Sequence, residues 1–165
     1  MHRSVTIVAL LSAVTLVSVA WDSTDSNQDS RLVGAWVATA WEYDGNPVAD
    51  PQRGLLVFTE RNYSMMFVFG ETPRPRYSGD GLADAEKISA YDSFVANSGR
   101  YTVSGNEITT EAYMAKDPNY MDDWESNQVT LTYRFEGEML HVTWPSDFSS
   151  TRLAGTFRKV GTEAR

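Results

Sequence analysis

Residues 127–144 read Asn-Gln-Val-Thr-Leu-Thr-Tyr-Arg-Phe-Glu-Gly-Glu-Met-Leu-His-Val-Thr-Trp, and their alternation decides the class of fold. Val129, Leu131, Tyr133 and Phe135 take every second place, with Thr130, Thr132 and Arg134 between them. Successive side chains of a strand point to opposite faces, so this is a strand with one buried and one solvated side. Beyond Glu136-Gly137-Glu138 the alternation resumes, with Leu140, Val142 and Trp144 on the apolar face. Two amphipathic strands joined by a tight turn form an antiparallel hairpin.

The same texture extends outward in both directions. Runs rich in Val, Thr, Tyr, Phe and Trp occupy 34–43, 54–59, 63–69, 100–103, 107–115 and 151–159, which with the first hairpin makes eight strands. Glu60-Arg61-Asn62 and Ser104-Gly105-Asn106 are turns between neighbours. Eight strands in this order predict an all-β fold, an eight-stranded antiparallel up-and-down β-barrel. One segment departs from period two. Residues 83–98 carry Ile88, Tyr91, Phe94 and Val95 at three-to-four-residue spacing, with Asp84 to cap the start and Gly99 to end it. This predicts an amphipathic helix of about three turns, inserted between the third and fourth strands and lying against the barrel.

A barrel of this size either fills with side chains or encloses one small ligand. In the first strand Trp36, Ala38 and Ala40 share a face, so a single large residue is followed by two that fill no space. This predicts a cavity beyond Trp36, walled by Trp36, Ala38, Ala40, Phe58, Met65, Phe67, Tyr101, Tyr133 and Trp144. Arg76 stands in a proline-stiffened connection near a mouth of the barrel, where Arg74, Arg76 and Tyr77 either clamp an anionic group of the ligand or hold the loop in shape.

Residues 1–20 have a different composition. Met1-His2-Arg3 is a basic start, 5–20 is almost wholly apolar, and Ser18-Val19-Ala20 places small residues where a signal peptidase needs them. This is the layout of a secretory signal peptide cleaved after Ala20, the apolar run being short for a membrane span, which takes roughly 20 residues. Residues 21–31 read as a flexible linker, 32–160 as one barrel domain and 161–165 as a tail. Loss of Arg3 with the signal leaves 13 basic against 22 acidic residues, a net charge of −9. Such a surface repels phosphate backbones and anionic lipid, which excludes nucleic-acid partners and membrane insertion after cleavage. The chain has no cysteine, so packing alone stabilises it. The expected location is secreted or periplasmic.

Catalytic devices are scarce. The mature chain has one histidine, His141, opposite in parity to Leu140 and Val142 and hence on the solvent face. That leaves no imidazole for a triad and no zinc site. Asp117, Asp122, Asp123 and Glu125 share one connection without the spacing or central glycine of an EF-hand. They read as a solvated acidic loop. Asn62-Tyr63-Ser64 matches an N-glycosylation acceptor. No metal or organic cofactor is implied.

Four stretches bear a family resemblance. Leu32-Val33-Gly34-Ala35-Trp36, with its Gly-x-Trp element, resembles the opening strand of the bacterial and fungal lipocalin-like domain family. Residues 54–59 resemble its second strand, Arg74-Pro75-Arg76-Tyr77 its arginine-proline segment, and Gly99-Arg100-Tyr101-Thr102-Val103 the strand after its helix. They run in family order across 32–160. The resemblance implies a small barrel with an interior pocket, and more about fold than about reaction. The chain departs from the family at Thr109-Thr110, where members often carry a histidine. In lipocalins proper a basic residue of the last strand packs over the Gly-x-Trp tryptophan, and Arg158 and Arg152 are candidates for it here. The functional expectation is a secreted binder of a small apolar or aromatic molecule. The alternatives are a small-barrel enzyme of isomerase or cyclase type using Tyr113, Glu111 or an arginine, and an interaction module with a filled core.

Overall fold

A computed structural model of the chain describes residues 29–69, 76–77, 79, 83–122, 127–145 and 152–161. Its strands are β1 (Gly34–Tyr43), β2 (Asn46–Pro47), β3 (Gly54–Phe58), β4 (Asn62–Val68), β5 (Phe94–Ser104), β6 (Glu107–Ala115), β7 (Gln128–Glu136), β8 (Met139–Thr143) and β9 (Leu153–Lys159). The two-residue β2 folds back on the end of β1. The other eight run antiparallel in the order β1-β3-β4-β5-β6-β7-β8-β9, and β9 returns to pair with β1 from Trp36↔Lys159 to Tyr43↔Leu153. This pairing closes the expected eight-stranded barrel.

On β7 and β8 the buried and exposed residues fall as the alternation predicts: Leu131, Tyr133, Leu140, Val142 and Trp144 are buried, Thr130, Thr132 and Arg134 exposed. On β1 a bulge between Ala38 and Ala40 breaks the parity. One extra residue in a strand reverses every side chain beyond it. Ala40 is therefore exposed, contrary to the reading of β1 as a Trp36, Ala38, Ala40 face, and Trp41 turns inward and is buried.

The helix is shorter than its spacing suggests. α1 (Asp84–Asp92) ends before Phe94, and Phe94 to Gly99 belong to β5, which pairs with both β4 and β6. Two neighbouring ladders outweigh a local helical periodicity. Val95 packs on the core, whereas Ile88 and Tyr91 are exposed and α1 buries no residue. A polar clip holds it instead of an apolar stripe. The Tyr91 hydroxyl donates to the Lys116 carbonyl at 3.0 Å, and Lys116 Nζ lies 3.8 Å from the Tyr91 ring centroid and donates to the Tyr91 carbonyl at 2.7 Å. At its start, Ala83 N–H donates to Glu86 Oε2.

Candidate functional site

The interior has three zones, set by which strand positions reverse and which carry small residues. At the base, a 3-10 turn, Ser30–Leu32, puts Leu32 inside the barrel, fully buried. The Trp36 indole N–H donates to the Leu32 carbonyl at 2.8 Å. Asp29 accepts from the Arg31 guanidinium and from the Tyr133 hydroxyl, and Arg31 lies 4.3 Å above the Phe135 ring. The side-chain hydrogen bond from Arg31 is the main reason the Asp29 carboxyl titrates below its usual value. Asp29 and Arg31, within the stretch read as linker, thus make defined contacts with the barrel.

The basic partner of Trp36 is Lys159, neither Arg158 nor Arg152: its Nζ lies 5.2 Å from the Trp36 ring centroid and donates to the Arg31 carbonyl. The glycine of the Gly-x-Trp element makes this possible. Gly34 sits at φ +137°, and a Cβ there would stand 2.6 Å from Lys159 Cε. Alternation along β9, with Leu153, Gly155 and Phe157 buried, puts Lys159 on the same face.

The second zone surrounds Trp41. Phe67, Phe69, Trp144 and Phe157 pack around it with ring centroids 5.0 to 6.1 Å away, mostly edge to face, a favourable arrangement for aromatic quadrupoles. Room for the indole comes from glycine. A Cβ on Gly54 or on Gly155 would meet the Trp41 ring at 2.6 and 2.8 Å. The space that two alanines promised is thus occupied by a tryptophan, whose N–H is satisfied by the Gln52 carbonyl at 3.0 Å.

The third zone is the wall formed by β4 to β7. Tyr63 pairs with Gly99, Gly99 with Ala112, and Ala112 meets Asn127 through reciprocal hydrogen bonds: Ala112 N–H donates to the Asn127 carbonyl and Asn127 Nδ2 to the Ala112 carbonyl. Asn97 lies two residues from Gly99 on the same face and pairs with Met65 and Ala115. Between Tyr63 and Asn127 the wall thus carries only a hydrogen and a methyl. Gly99 is required by the β5–β6 bulge, since a Cβ there would lie 1.8 Å from the Glu111 carbonyl oxygen.

Three polar atoms on this wall, Tyr63 Oη, Asn97 Oδ1 and Asn127 Oδ1, are buried without a close hydrogen-bond partner among the described residues. Their residues are 3%, 6% and 0% exposed. Burying such an atom unpaired costs about 1–3 kcal/mol, and native proteins rarely keep one without reason. The Tyr63 hydroxyl lies against Thr110, whose own hydroxyl donates to the Val129 carbonyl at 3.1 Å and keeps its lone pairs to accept. Burial, reinforced by Tyr120 and Glu111, pushes the Tyr63 phenol well above its ordinary value, and burial likewise lifts Tyr101 to about 12. Both stay protonated at neutral pH.

The residues expected to wall the pocket divide among these zones. Trp36, Phe58, Tyr101 and Tyr133 belong to the base: Phe58 packs edge-on against Tyr101 at 5.1 Å, and the Tyr101 hydroxyl donates to the Thr59 carbonyl. Phe67 and Trp144 belong to the Trp41 cluster, against which Ala38 is half-buried. Met65 alone borders the polar wall, beside Asn97. Arg76 and Tyr77 are exposed, while Arg74 and its flanking prolines lie outside the described residues. Sequence reasoning missed Asn97, assigned to the helix, and passed over Asn127 and Tyr63. Period two carried back from Val103 through Tyr101 and Gly99 would have put Asn97 inside.

The groups considered for catalysis face outward. Glu111 holds Arg100 in a two-point ion pair at 2.7 Å, and Tyr113 is half exposed. His141 bonds to Thr156 at 3.1 Å on the outer side. In the acidic connection Asp117 Oδ1 accepts from Asn119 N–H at 3.0 Å, ahead of a short helix, α2 (Asn119–Asp122). The Asp122 side chain, Asp123 and Glu125 lie outside the described residues. Asn62 is exposed at the start of β4. A shallow outer groove of about 310 Å³ runs along Thr130, Thr132, Thr143 and Arg152 and holds no acid–base pair. No helix among the described residues is long and apolar enough to cross a membrane.

A closed up-and-down barrel with a plugged base and a buried polar wall defines the class. Residues 31–158 match the family model of the lipocalin-like domain, and the chain belongs to that family. Similar solved structures include a lipocalin-like protein from Bacteroides uniformis, 16% identical, covering 78% of this chain and 98% of that one with a TM-score of 0.46. An uncharacterized protein from Bacteroides eggerthii is 11% identical over 78% of this chain and 98% of its own, with a TM-score of 0.42. A variant of the fluorescent protein UnaG is 11% identical over 81% and 98%, with a TM-score of 0.36. No curated protein matches the chain.

Proposed function

We propose that the protein is an exported carrier that encloses one small apolar or aromatic molecule within the barrel. The observation that carries this reading is the closed eight-stranded barrel, whose β4–β7 wall sets the amide oxygens of Asn97 and Asn127 among apolar neighbours without a hydrogen-bond partner among the described residues. A few polar groups set in an apolar concavity are what a ligand pocket requires. Apolar area supplies most of the affinity, at about 25 cal/mol per Å² buried, and the polar atoms orient the guest. Export rests on the composition of residues 1–20.

One feature favours a second reading, an interaction module with a filled core: the aromatic cluster around Trp41 already fills one side of the interior. Native mass spectrometry of the protein recovered from its own host separates the two. A carrier begins at Trp21 and releases a small apolar compound on denaturation. A protein that retains nothing and takes up no uncharged apolar dye such as Nile red has a filled core.

A further inference from the structure

We infer that the outer surface running from β1 across β3, β4 and β5 to β6 docks a second copy of this chain, with Met114 of one copy seated in a hollow of the other. The inference concerns the exterior and holds for an occupied or a filled interior alike. Cross-strand register lays out two rows on this surface. Val37, Leu55, Met66 and Ala96 stand abreast in one, and Ala35, Val57, Ser64, Ser98 and Met114 in the other. None of these residues is charged. The outer surface of β7 and β8 is different: there Arg134 stands opposite His141, and Thr132 opposite Thr143. A strand covered on one side alternates apolar with polar residues, as β7 does, whereas a strand covered on both reads as an unbroken apolar run. β3 is such a run, Gly-Leu-Leu-Val-Phe, and Met65, Met66, Phe67 and Val68 of β4 extend it. These strands are composed for two covered sides, yet a single chain leaves Met66 38% and Met114 68% exposed.

The surface is complementary to itself, which is what a two-fold contact requires. Ser64, Ala96 and Ser98 make a floor of small side chains, bordered by Met66 on β4 and by Tyr113 and Met114 on β6. The β5–β6 bulge builds the second border, because its extra residue leaves Tyr113 and Met114 exposed in succession. A flexible thioether fits such a hollow. Covering the floor strands no hydroxyl, since Ser98 Oγ bonds to Ser64 Oγ at 2.8 Å. Lys116, next to Ala96 through its N–H, turns its ammonium onto the Tyr91 ring and so leaves the rows uncharged. Tyr91 and Ile88, one helical turn apart, extend the surface at that end. At the other end the ion pair of Arg100 and Glu111 supplies a polar rim. The exposed parts of Met66, Ile88, Tyr91, Tyr113 and Met114, with half-buried neighbours on β1 and β3, come to roughly 600–700 Å², against about 800 Å² for each partner of a stable dimer. A bilayer is the poorer occupant, because anionic lipid repels a chain of net charge −8.

Analytical ultracentrifugation of the exported protein from about 1 to about 200 µM tests the contact. The variants are Met114→Lys, Ala96→Phe and, on the polar half of the exterior, Thr132→Lys. The parent is expected to form dimers with a Kd at or below about 10 µM, within the range for a contact of this size. Met114→Lys removes the seated side chain and Ala96→Phe fills the hollow, so each should raise the Kd by about tenfold or more, while Thr132→Lys leaves it unchanged. At the lowest concentration, where the chain is monomeric, Met114→Lys and Thr132→Lys should melt within about 3 °C of the parent, because both sites are on the surface. A parent that stays monomeric at about 200 µM overturns the inference. Dimers whose Kd is the same in Met114→Lys and Ala96→Phe overturn it too, since they form through another face. A monomer that floats with neutral phosphatidylcholine vesicles assigns the surface to lipid and overturns it as well.

Discussion

The two sides of the barrel interior are built on opposite rules. Around Trp41 four aromatic rings pack, the single indole N–H is satisfied, and two glycines leave room for the ring. On the β4–β7 wall the residues between Tyr63 and Asn127 are the smallest available, and three buried polar atoms have no close partner among the described residues. The first side is complete as it stands, and its energy goes into holding the barrel closed. The second keeps buried polar atoms among small neighbours.

The sharpest way to break this contrast is Trp41→Ala. It should destabilise the protein by about 3–5 kcal/mol, read by chemical denaturation, and convert the filled side into a cavity that takes up Nile red. Gly155→Ala pushes a methyl into Trp41 and Phe157, an overpacking expected to cost about 1–3 kcal/mol without opening any new site.

Acid should touch the base rather than either side wall. The Asp29 pKa is depressed in the folded state, so its contribution to stability is complete above the unfolded value of 3.8 and is lost as pH falls through the lower folded value. Asp29→Asn should flatten the fall in melting temperature over that acid range. Ala40→Phe, on the outer face beyond the bulge, should change stability by no more than about 0.5 kcal/mol and leave dye uptake intact.

The contrast also marks how far the sequence could be read. Strict alternation placed the inner faces of β7 and β8, because no bulge interrupts them. On β1 the same rule predicted a hollow, and the structure fills it with Trp41. A single extra residue at Thr39 leaves no mark in composition, yet it exchanges the roles of Ala40 and Trp41. Residues 94–98 look helical from Ile88 and Tyr91 onward and become strand only because β4 and β6 flank them. That error hid Asn97. Tyr63 and Asn127 were hidden differently. What singles them out is a missing partner, and a partner across three strands is a property of the folded wall that no local pattern encodes.

The pairing of β1 with β9 has a kinetic consequence. Trp36 finds Lys159, and Tyr43 finds Leu153, across more than 100 intervening residues, so the earliest strand waits for the latest. Contacts of such sequence separation slow folding, since the loop must close before they repay its entropy. A growing chain therefore has no closed barrel until its final strand is free. By the same logic, a chain cut short before Leu153 leaves β1 and β8 as open edges, competent to join other sheets.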